Sequence, residues 1–397
     1  PYHIPVAIGL VGPDGKDMPL TLDGEEKPGP KTRVLHLTER EATWRFRDVK
    51  EKPVPSLLRG FTAPVKLNAN LKERDLVFLM RHDSDSFNRW EAAQRYATGL
   101  LTGMVEALKA GGSPRKGAGF AEMVRDIVSA KKSDPEFAAQ IILLPSEQAI
   151  AQIIAHDVDV DAIHEAREIL RASIATEAGD ALLDCYHRMT VKAPYSPDAE
   201  QAGRRALRNV CLAYLAAIPG GDGVALAAEQ FRRADNMTDK IAALTVLSNI
   251  DCKEREEALA IFHDEWKGDH LVMDKWFTIQ ALSYLPGTLA EVKRLTGHPA
   301  FTMKNPNKVR SLVGSFANAN QLRFHERKGE GYRFVADKVL ELDGLNPQVA
   351  ARMLGAFKSW RQMEPKRRKL MQAELKRIAG TEGLSRDVFE IASKTLA

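Results

Sequence analysis

The C-terminal half of the chain carries helix-start signals at nearly regular intervals, and this regularity limits the fold more than any other feature. The side chains of Ser, Asn and Asp can accept hydrogen bonds from the free N–H groups of a first helical turn. Residues of this kind precede helical apolar patterns, at separations of 33, 36, 41 and 39, at Asn236, Asp269, Asn305, Asn346 and Ser385. Second start signals lie between them, near Asp251, Thr288, Gly329 and Glu364. Two helices in every 35–40 residues or so predict an α-α superhelical solenoid of HEAT or armadillo type, with a concave face.

The first 73 residues have a different periodicity. Short stretches of alternating apolar residues, separated by turn signals, occupy residues 4–10, 18–22, 34–37 and 42–46. Pro53, Pro55 and Pro64 interrupt the remainder of this region, as is typical of strand edges and turns. We therefore predict a mainly α protein with a small N-terminal β-sandwich over residues 1–73 and an α-helical superhelical domain over residues 74–397.

Composition restricts the functional class. A hydrophobic content of 44% and a charged content of 28% are ordinary for a soluble protein of two domains, and no apolar run approaches a membrane span. A net charge of +4 is too small to imply a polyanionic partner. The three cysteines (Cys185, Cys211 and Cys252) form no C-x-x-C pair, so each is expected to pack as a small apolar residue. This cysteine usage favours a reducing, cytoplasmic location.

One predicted helix start combines a cap with a polar face. Asn346 is a good N-cap and Pro347 suits the first helical position, so a long helix should begin here. Its apolar stripe consists of Val349, Met353, Phe357 and Trp360. Gln348 and Arg352, four residues apart, share a different face. The guanidinium of Arg352 and the amide of Gln348 suit a surface that lines a cavity. The alternative is an ordinary solvated helix face, which is commoner for charged residues.

Two acidic segments could be interpreted as metal sites. Asp157, Asp159, Asp161 and Glu168 have the spacing of EF-hand calcium ligands, but the glycine that such a loop needs at its sixth position is Ala162. We instead predict that Asp161 caps the next helix. The segment 82–85, His-Asp-Ser-Asp, is likewise better explained as a capped helix start before Phe87 than as a metal cluster.

A third segment, residues 358–377, contains eight basic and two acidic residues. It could form a phosphate-binding face. Pro365 divides it into two helices, however, and apolar residues such as Met371 and Leu375 give it a core-facing stripe. We therefore interpret the basic residues as the solvated face of a solenoid helix and predict no nucleic-acid partner.

Several motifs resemble a known family. The C-terminal matches are 346–352 (Asn-Pro-Gln-Val-Ala-Ala-Arg), 369–375 and 384–390, and the upstream matches, in the same order, are 55–64, 85–92, 235–239 and 305–310. Together they are similar to the C-terminal half of bacterial aminopeptidase N, a family of zinc-dependent gluzincin aminopeptidases. The resemblance implies that the β-sandwich is a spacer and that the helical domain closes over a catalytic domain as a superhelical bowl.

The motifs that carry the chemistry of that family are missing from this sequence. The zinc motif H-E-x-x-H does not occur, because His164 and Glu165 are followed by Glu168 where the second histidine would stand, and the G-x-M-E-N motif is also absent. We therefore interpret the chain, which begins with Pro1, as an excised non-catalytic fragment. On this interpretation the chain alone is not an enzyme and holds no cofactor, since zinc belongs to the absent catalytic domain.

The resemblance places Gln348 and Arg352 in the substrate channel, near the C-terminal side of a bound peptide, and makes Arg310 a weaker channel candidate. It implies a peptide substrate and the catalytic domain of the parent enzyme as partners, neither nucleic acid nor membrane, and self-association through an exposed inter-domain surface. A free-standing helical-repeat scaffold that binds a protein or peptide is the alternative, and a nucleic-acid-binding solenoid is a third hypothesis. An H-E-x-x-H motif in the upstream reading frame would decide for the enzyme.

Overall fold

A computed structural model describes residues 2–115, 117–131 and 134–397. Its N-terminal part contains two small antiparallel sheets, one with the strand order β3-β1-β5 and one that pairs β2 with β4. The register places Ile4 opposite Leu37 and Ile8 opposite Leu57. The strands are β1 (Ile4–Val11), β2 (Thr21–Leu22), β3 (Thr32–Leu37), β4 (Phe46–Arg47) and β5 (Val54–Leu57).

The two sheets enclose a small core of their own, formed by Ile8, Leu10, Leu20 and Leu35. A small β-sandwich was predicted, but the strands differ in detail. The stretches 18–22 and 42–46 contribute only the two-residue strands β2 and β4. Pro55, expected to interrupt the chain, lies inside β5 and pairs with Leu10. Proline is tolerated there because β5 is an edge strand, where its missing N–H costs no ladder hydrogen bond.

Helices occupy the described chain from residue 73 onward. The first group comprises α1 (Glu73–His82), α2 (Ser86–Lys109), α3 (Ala118–Ser129), α4 (Pro135–Ile141), α5 (Glu147–Ile154), α6 (Val160–Glu177), α7 (Gly179–Arg188), α8 (Ala199–Leu215) and α9 (Gly223–Arg233). The second comprises α10 (Met237–Leu247), α11 (Lys253–Trp266), α12 (His270–Ala281), α13 (Thr288–Leu295), α14 (Pro306–Val309), α15 (Ser315–Ala319), α16 (Gln321–Phe324), α17 (Glu330–Asp343), α18 (Pro347–Leu354), α19 (Pro365–Ala379) and α20 (Arg386–Leu396).

The predicted helix starts of the second group are confirmed. Each of the five primary signals is an N-cap whose side chain accepts a backbone N–H of the first turn: Asn236, Asp269, Asn305, Asn346 and Ser385. The secondary signals precede or open α11, α13, α17 and α19 to within two residues. Local capping chemistry therefore accounts for the spacing of the repeats.

The helices of the second group pack in two layers. The first layer contains α12, α14, α15, α18 and α20, and the second layer contains α13, α16, α17 and α19. In the first layer, α12 contacts α15 and the segment 310–314, and α18 contacts α20. In the second layer, α13 contacts α16 and α17 contacts α19. A cavity of about 200 Å³ lined by Pro306 and Val349 shows that the starts of α14 and α18 adjoin within the first layer.

Two local predictions were wrong. The helix that begins after Asn346 is short: α18 ends at Leu354, and tighter 3₁₀ turns continue at 355–357 and 360–362. The tighter winding delivers Phe357 and Trp360 to the core, and the Trp360 indole donates to the carbonyl of Thr395. The N-cap of α6 is Asp159, not Asp161, because the helix already begins at Val160.

Helix α6 is joined to the C-terminal repeats through contacts very distant in sequence. The amide of Val158 donates to the carbonyl of Gln362, and the amide of Glu364 donates to the carbonyl of Val158. These two hydrogen bonds form an isolated parallel β-bridge. Beside this bridge, Arg367 is 1% exposed and donates to Asp161 at 2.9 Å. We call this set the clasp: Val158, Asp159, Asp161, Gln362, Glu364 and Arg367.

Cys185 and Cys211 are free thiols buried in the hairpin of α7 and α8, and Cys252 is free and half-buried. None of the described helices has the length and hydrophobicity that a bilayer-crossing segment needs.

Candidate functional site

The three predicted channel residues lie on adjoining parts of the first layer. Gln348 and Arg352 are on α18, and Arg310 opens the five-residue π-helical segment between α14 and α15. All three side chains are exposed, while their neighbours Val309 and Met353 are buried. π-helical segments inside α-helices occur frequently at functional sites, so the irregular backbone at Arg310 is itself a signal that the sequence pattern did not provide.

Arg352 is unusual because its guanidinium group has no hydrogen-bond or ion-pair partner in the described part of the chain. Every other arginine between residues 290 and 380 donates a hydrogen bond or forms an ion pair, whereas Arg352 makes neither with any residue that the structure describes. Arg310 reaches only Asn307 Oδ1, at 2.8 Å, on its own helix. Two guanidinium groups without a carboxylate partner leave planar forks free to hold a carboxylate or a peptide carbonyl.

Gln348 is also exposed and has no hydrogen bond among the described residues, including none to Arg352. About 100° around the axis of α18, Val349 is half-buried and Met353 is buried, and Phe357 in the following 3₁₀ turn is fully buried. Gln348 and Arg352 therefore stand on the polar side of a helix anchored by its apolar side. Their common face, with Arg310, is called the Arg352 face below.

Two of the motifs quoted from the sequence, 55–64 and 85–92, meet at a joint between the β part and the helices. The Asn88 amide donates to Ser56 Oγ at 2.7 Å and to the carbonyl of Leu57 at 2.9 Å. Asp85 caps α2, as predicted for this segment, and also accepts the amide of Gly60 at 3.0 Å. These residues thus position α2 on β5, which is a structural role.

The centre of the joint is a buried ionic cluster that the sequence pattern did not reveal. The Arg59 guanidinium donates to Asp17 at 2.7 Å and to Asp83 at 3.1 Å. Burial opposes ionisation of Asp17, but hydrogen bonds from Arg59 and Ser84 outweigh it and hold the pKa of Asp17 below its ordinary value. Burial raises the pKa of Asp83 despite the nearby Arg59 charge.

Gly9 makes room for this cluster. A Cβ at that position would lie 2.1 Å from Arg59 Cζ, so any larger residue would displace the guanidinium. The only sequence signal for the cluster was Arg59, which stands among apolar residues, and nothing in the spacing linked it to Asp17 or Asp83.

The acidic segment considered as a calcium loop has other partners. Asp157 pairs with Lys109 at 2.7 Å, Asp161 pairs with Arg367, and Glu168 pairs with Arg171. Across the described residues, no three His, Cys, Asp or Glu side chains are grouped so that they could hold a metal ion.

The four arginines of the basic segment 358–377 make internal contacts, whereas its four lysines are exposed. Arg361 donates to the carbonyls of Thr395 and Leu396 at the end of α20. Arg367 belongs to the clasp, and Arg377 pairs with Asp337 at 2.7 Å. These side chains hold helices together, which leaves less charge for a phosphate-binding face.

Comparison with known proteins agrees with this architecture. Residues 73–397 match a family model described as a domain of unknown function (DUF3458_C) with ARM repeats, and residues 1–70 match one described as a domain of unknown function (DUF3458) with an Ig-like fold. A solved structure of Legionella pneumophila aminopeptidase A in complex with aspartic acid superposes with a TM-score of 0.87 at 29% identity, and covers 100% of this chain and 45% of that one.

Named relatives include the aminopeptidases N of Caulobacter vibrioides, which is 39% identical over 98% of this chain, and of Escherichia coli K12, which is 38% identical over 100%. The aminopeptidase N of Haemophilus influenzae Rd is 34% identical over 99% of the chain. The chain spans 44–45% of the length of these relatives. It therefore belongs to the family of paired Ig-like and ARM-repeat domains DUF3458 and DUF3458_C, and is homologous to the C-terminal portion of aminopeptidase N.

Proposed function

We propose that this chain is the non-catalytic wall of the substrate chamber in a zinc-dependent aminopeptidase that removes N-terminal residues from peptides. Zinc and the catalytic residues would be supplied by a portion of the protein outside this sequence. The β part, residues 1–73, would be the spacer, and residues 74–397 would cover the chamber. A cytoplasmic location goes with this proposal.

Within that wall, we assign the Arg352 face to the substrate channel. The observation that carries the assignment is the unpartnered Arg352 guanidinium on the same layer as Arg310, which has no carboxylate partner. Leaving two exposed cations unneutralised adds nothing to the stability of the fold, but it suits the carbonyls and terminal carboxylate of a peptide. Gln348 would add an amide that can donate and accept.

The test is a substitution in the full-length enzyme, in which Arg352→Ala should raise KM for peptides about tenfold or more and leave kcat nearly unchanged. A lost charge-assisted hydrogen bond has about this effect on binding. Aminoacyl amides too short to reach the channel should be hydrolysed normally, because a residue distant from the zinc contributes binding rather than chemistry.

Arg232→Ala is the matched control, since Arg232 is also exposed and unpartnered among the described residues but lies on α9, outside the first layer. An equal loss of kcat for short and long substrates, or an equal effect of both substitutions, would rule out the channel role.

We also propose that the surface that meets the catalytic portion promotes self-association when this chain is produced alone. Phe61 is 53% exposed and packs in a tilted arrangement against Phe87, with the ring centroids 5.1 Å apart, which makes it the first position to change. Sedimentation of the isolated chain should show concentration-dependent dimers that Phe61→Ser weakens. Monomers at all concentrations would exclude this.

A further inference from the structure

Helices α1–α4 enclose a groove that lies on different helices from the Arg352 face. Its volume is about 1010 Å³. The floor is apolar, with Met80, Met123 and Ala138 fully or almost fully buried beneath it. Phe137 forms one wall and Arg89 another.

Arg89 lies against the Phe137 ring without a carboxylate partner. Its guanidinium carbon is 5.2 Å from the ring centroid, and Nε donates to the carbonyl of Met80 over a long 3.4 Å. It forms no ion pair with any described residue. Burial lowers the pKa of Arg89 against the opposing charge of Asp83, so the described residues do not fully compensate the desolvation of this cation.

The neighbouring arginine of the same groove differs in this respect. Arg81 donates to Glu122 at 2.8 Å and lies 4.0 Å from Asp126, so its charge is neutralised. Arg89 is also held in place: its backbone amide is bonded to Asp85, and the adjacent Asn88 is anchored in the joint with β5. A fixed, unneutralised cation beside an apolar floor is preorganised for an anion that carries an apolar group.

We propose that this groove binds the C-terminal residue of a peptide, with Arg89 holding the terminal carboxylate and the half-buried side chains of Ile127 and Phe137 contacting an apolar side chain above the buried floor. A peptide fits better than a fatty acid because the exposed side chains of His82 and Asp126 also line the groove and could contact a peptide backbone. The site does not rest on the proposed chamber-wall function, since none of its residues belongs to the first layer.

The test is calorimetric titration of this chain with N-acetyl-leucine, N-acetyl-leucinamide and hexanoate. The acetylated amino acid should bind at least about tenfold more tightly than its amide, because only the acid offers a carboxylate to the guanidinium. It should also bind more tightly than hexanoate, which has no amide group. Arg89→Gln should abolish the preference for the acid, and Arg89→Lys should reduce it, because an ammonium group keeps the charge but not the planar fork.

Arg125→Gln is the control for net charge, because Arg125 is exposed on α3 and does not line the groove. Far-UV dichroism of each variant would separate loss of binding from loss of fold, and Arg89→Lys provides the readout if Arg89→Gln fails to fold. The proposal would be overturned by equal binding of acid and amide, by tighter binding of hexanoate, or by equal losses in the Arg89 and Arg125 variants. It would also be overturned if N-acetyl-leucine did not bind at about 10 mM, a concentration that reveals even weak contacts.

Discussion

At the scale of single residues, burial and neighbouring charges shift the pKa values of several ionisable side chains. His325 is 1% exposed, and its Nδ1 lies 2.9 Å from the hydroxyl of Tyr332. Its backbone carbonyl accepts Arg367 Nε at 2.6 Å. Burial, together with the charge of Arg367, lowers the pKa of His325 to about 3.

This shift predicts a pH-dependent stability. In the unfolded chain His325 becomes protonated below pH 6.5, whereas in the folded chain it stays neutral down to a pH of about 3. Stability should therefore fall as the pH decreases through this window, by about 1.4 kcal/mol per pH unit from this residue alone. Urea denaturation at several pH values would measure the slope, and His325→Asn should reduce it.

His156→Asn is the matched control, because it removes an exposed histidine and leaves the buried His325 in place. A slope that is unchanged by His325→Asn, or is reduced equally by the His156 substitution, would contradict the assignment.

At the scale of elements, a few polar contacts attach the start of α2 to the β part, while the apolar face of the helix packs against neighbouring helices. Asp85 terminates the loop before α2, and Asn88 bonds to both Ser56 and Leu57 in the β part. The same residues that look like ordinary helix-cap and first-turn residues in the sequence therefore carry the connection between the two parts of the molecule.

Asn88→Ala should destabilise the chain by about 2 kcal/mol, because it removes the amide that donates to the buried Ser56 hydroxyl and to the half-buried carbonyl of Leu57. Asn68→Ala, at an exposed position, should change the free energy of unfolding by less than about 0.5 kcal/mol. Urea denaturation of both variants provides the comparison, and equal effects would show that the joint contributes little.

At the scale of the whole molecule, the clasp joins α6 to α19 across about half of the chain. Arg367 is fully buried against Asp161 at 2.9 Å and Asp159 at 3.6 Å. Burial alone would raise the pKa of Asp161, but hydrogen bonds from Arg367 and Arg327 hold it below its ordinary value. The contribution of Asp161 is therefore complete above its unfolded pKa of 3.8 and is lost as the pH falls through the lower folded value.

Arg367→Met should cost about 3 kcal/mol of stability, because it removes a buried cation together with its hydrogen bonds to Asp161 and to the buried His325 carbonyl. The amides of Val158 and Glu364, which bridge the clasp, should lose protection from hydrogen exchange before the rest of the core. Arg327→Met removes a cation from the same Asp161 but at a position 67% exposed, so it should cost less than about 1 kcal/mol. Uniform loss of protection throughout the core would show that the clasp is not a separable unit.

The sequence by itself determined the helical repeats and the small β domain. Asn346 and Asn305 cap their helices through contacts within three residues, so a local pattern is sufficient to place them. Only the family resemblance identified Gln348, Arg352 and Arg310 as site residues. Helical spacing places Gln348 and Arg352 on one face, but it does not indicate what that face contacts.

The tertiary structure alone decided the contacts that span long separations. Arg59 meets Asp17 over 42 residues and Arg367 meets Asp161 over 206, and no local rule links such positions. It also decided that α18 should stop at Leu354 and that Asp159 rather than Asp161 should cap α6. Capping and periodicity act within a turn or two of a helix. The burial of a cation depends instead on the packing of the elements around it. The end of a helix likewise depends on that packing when the aromatic residues that follow it must reach the core.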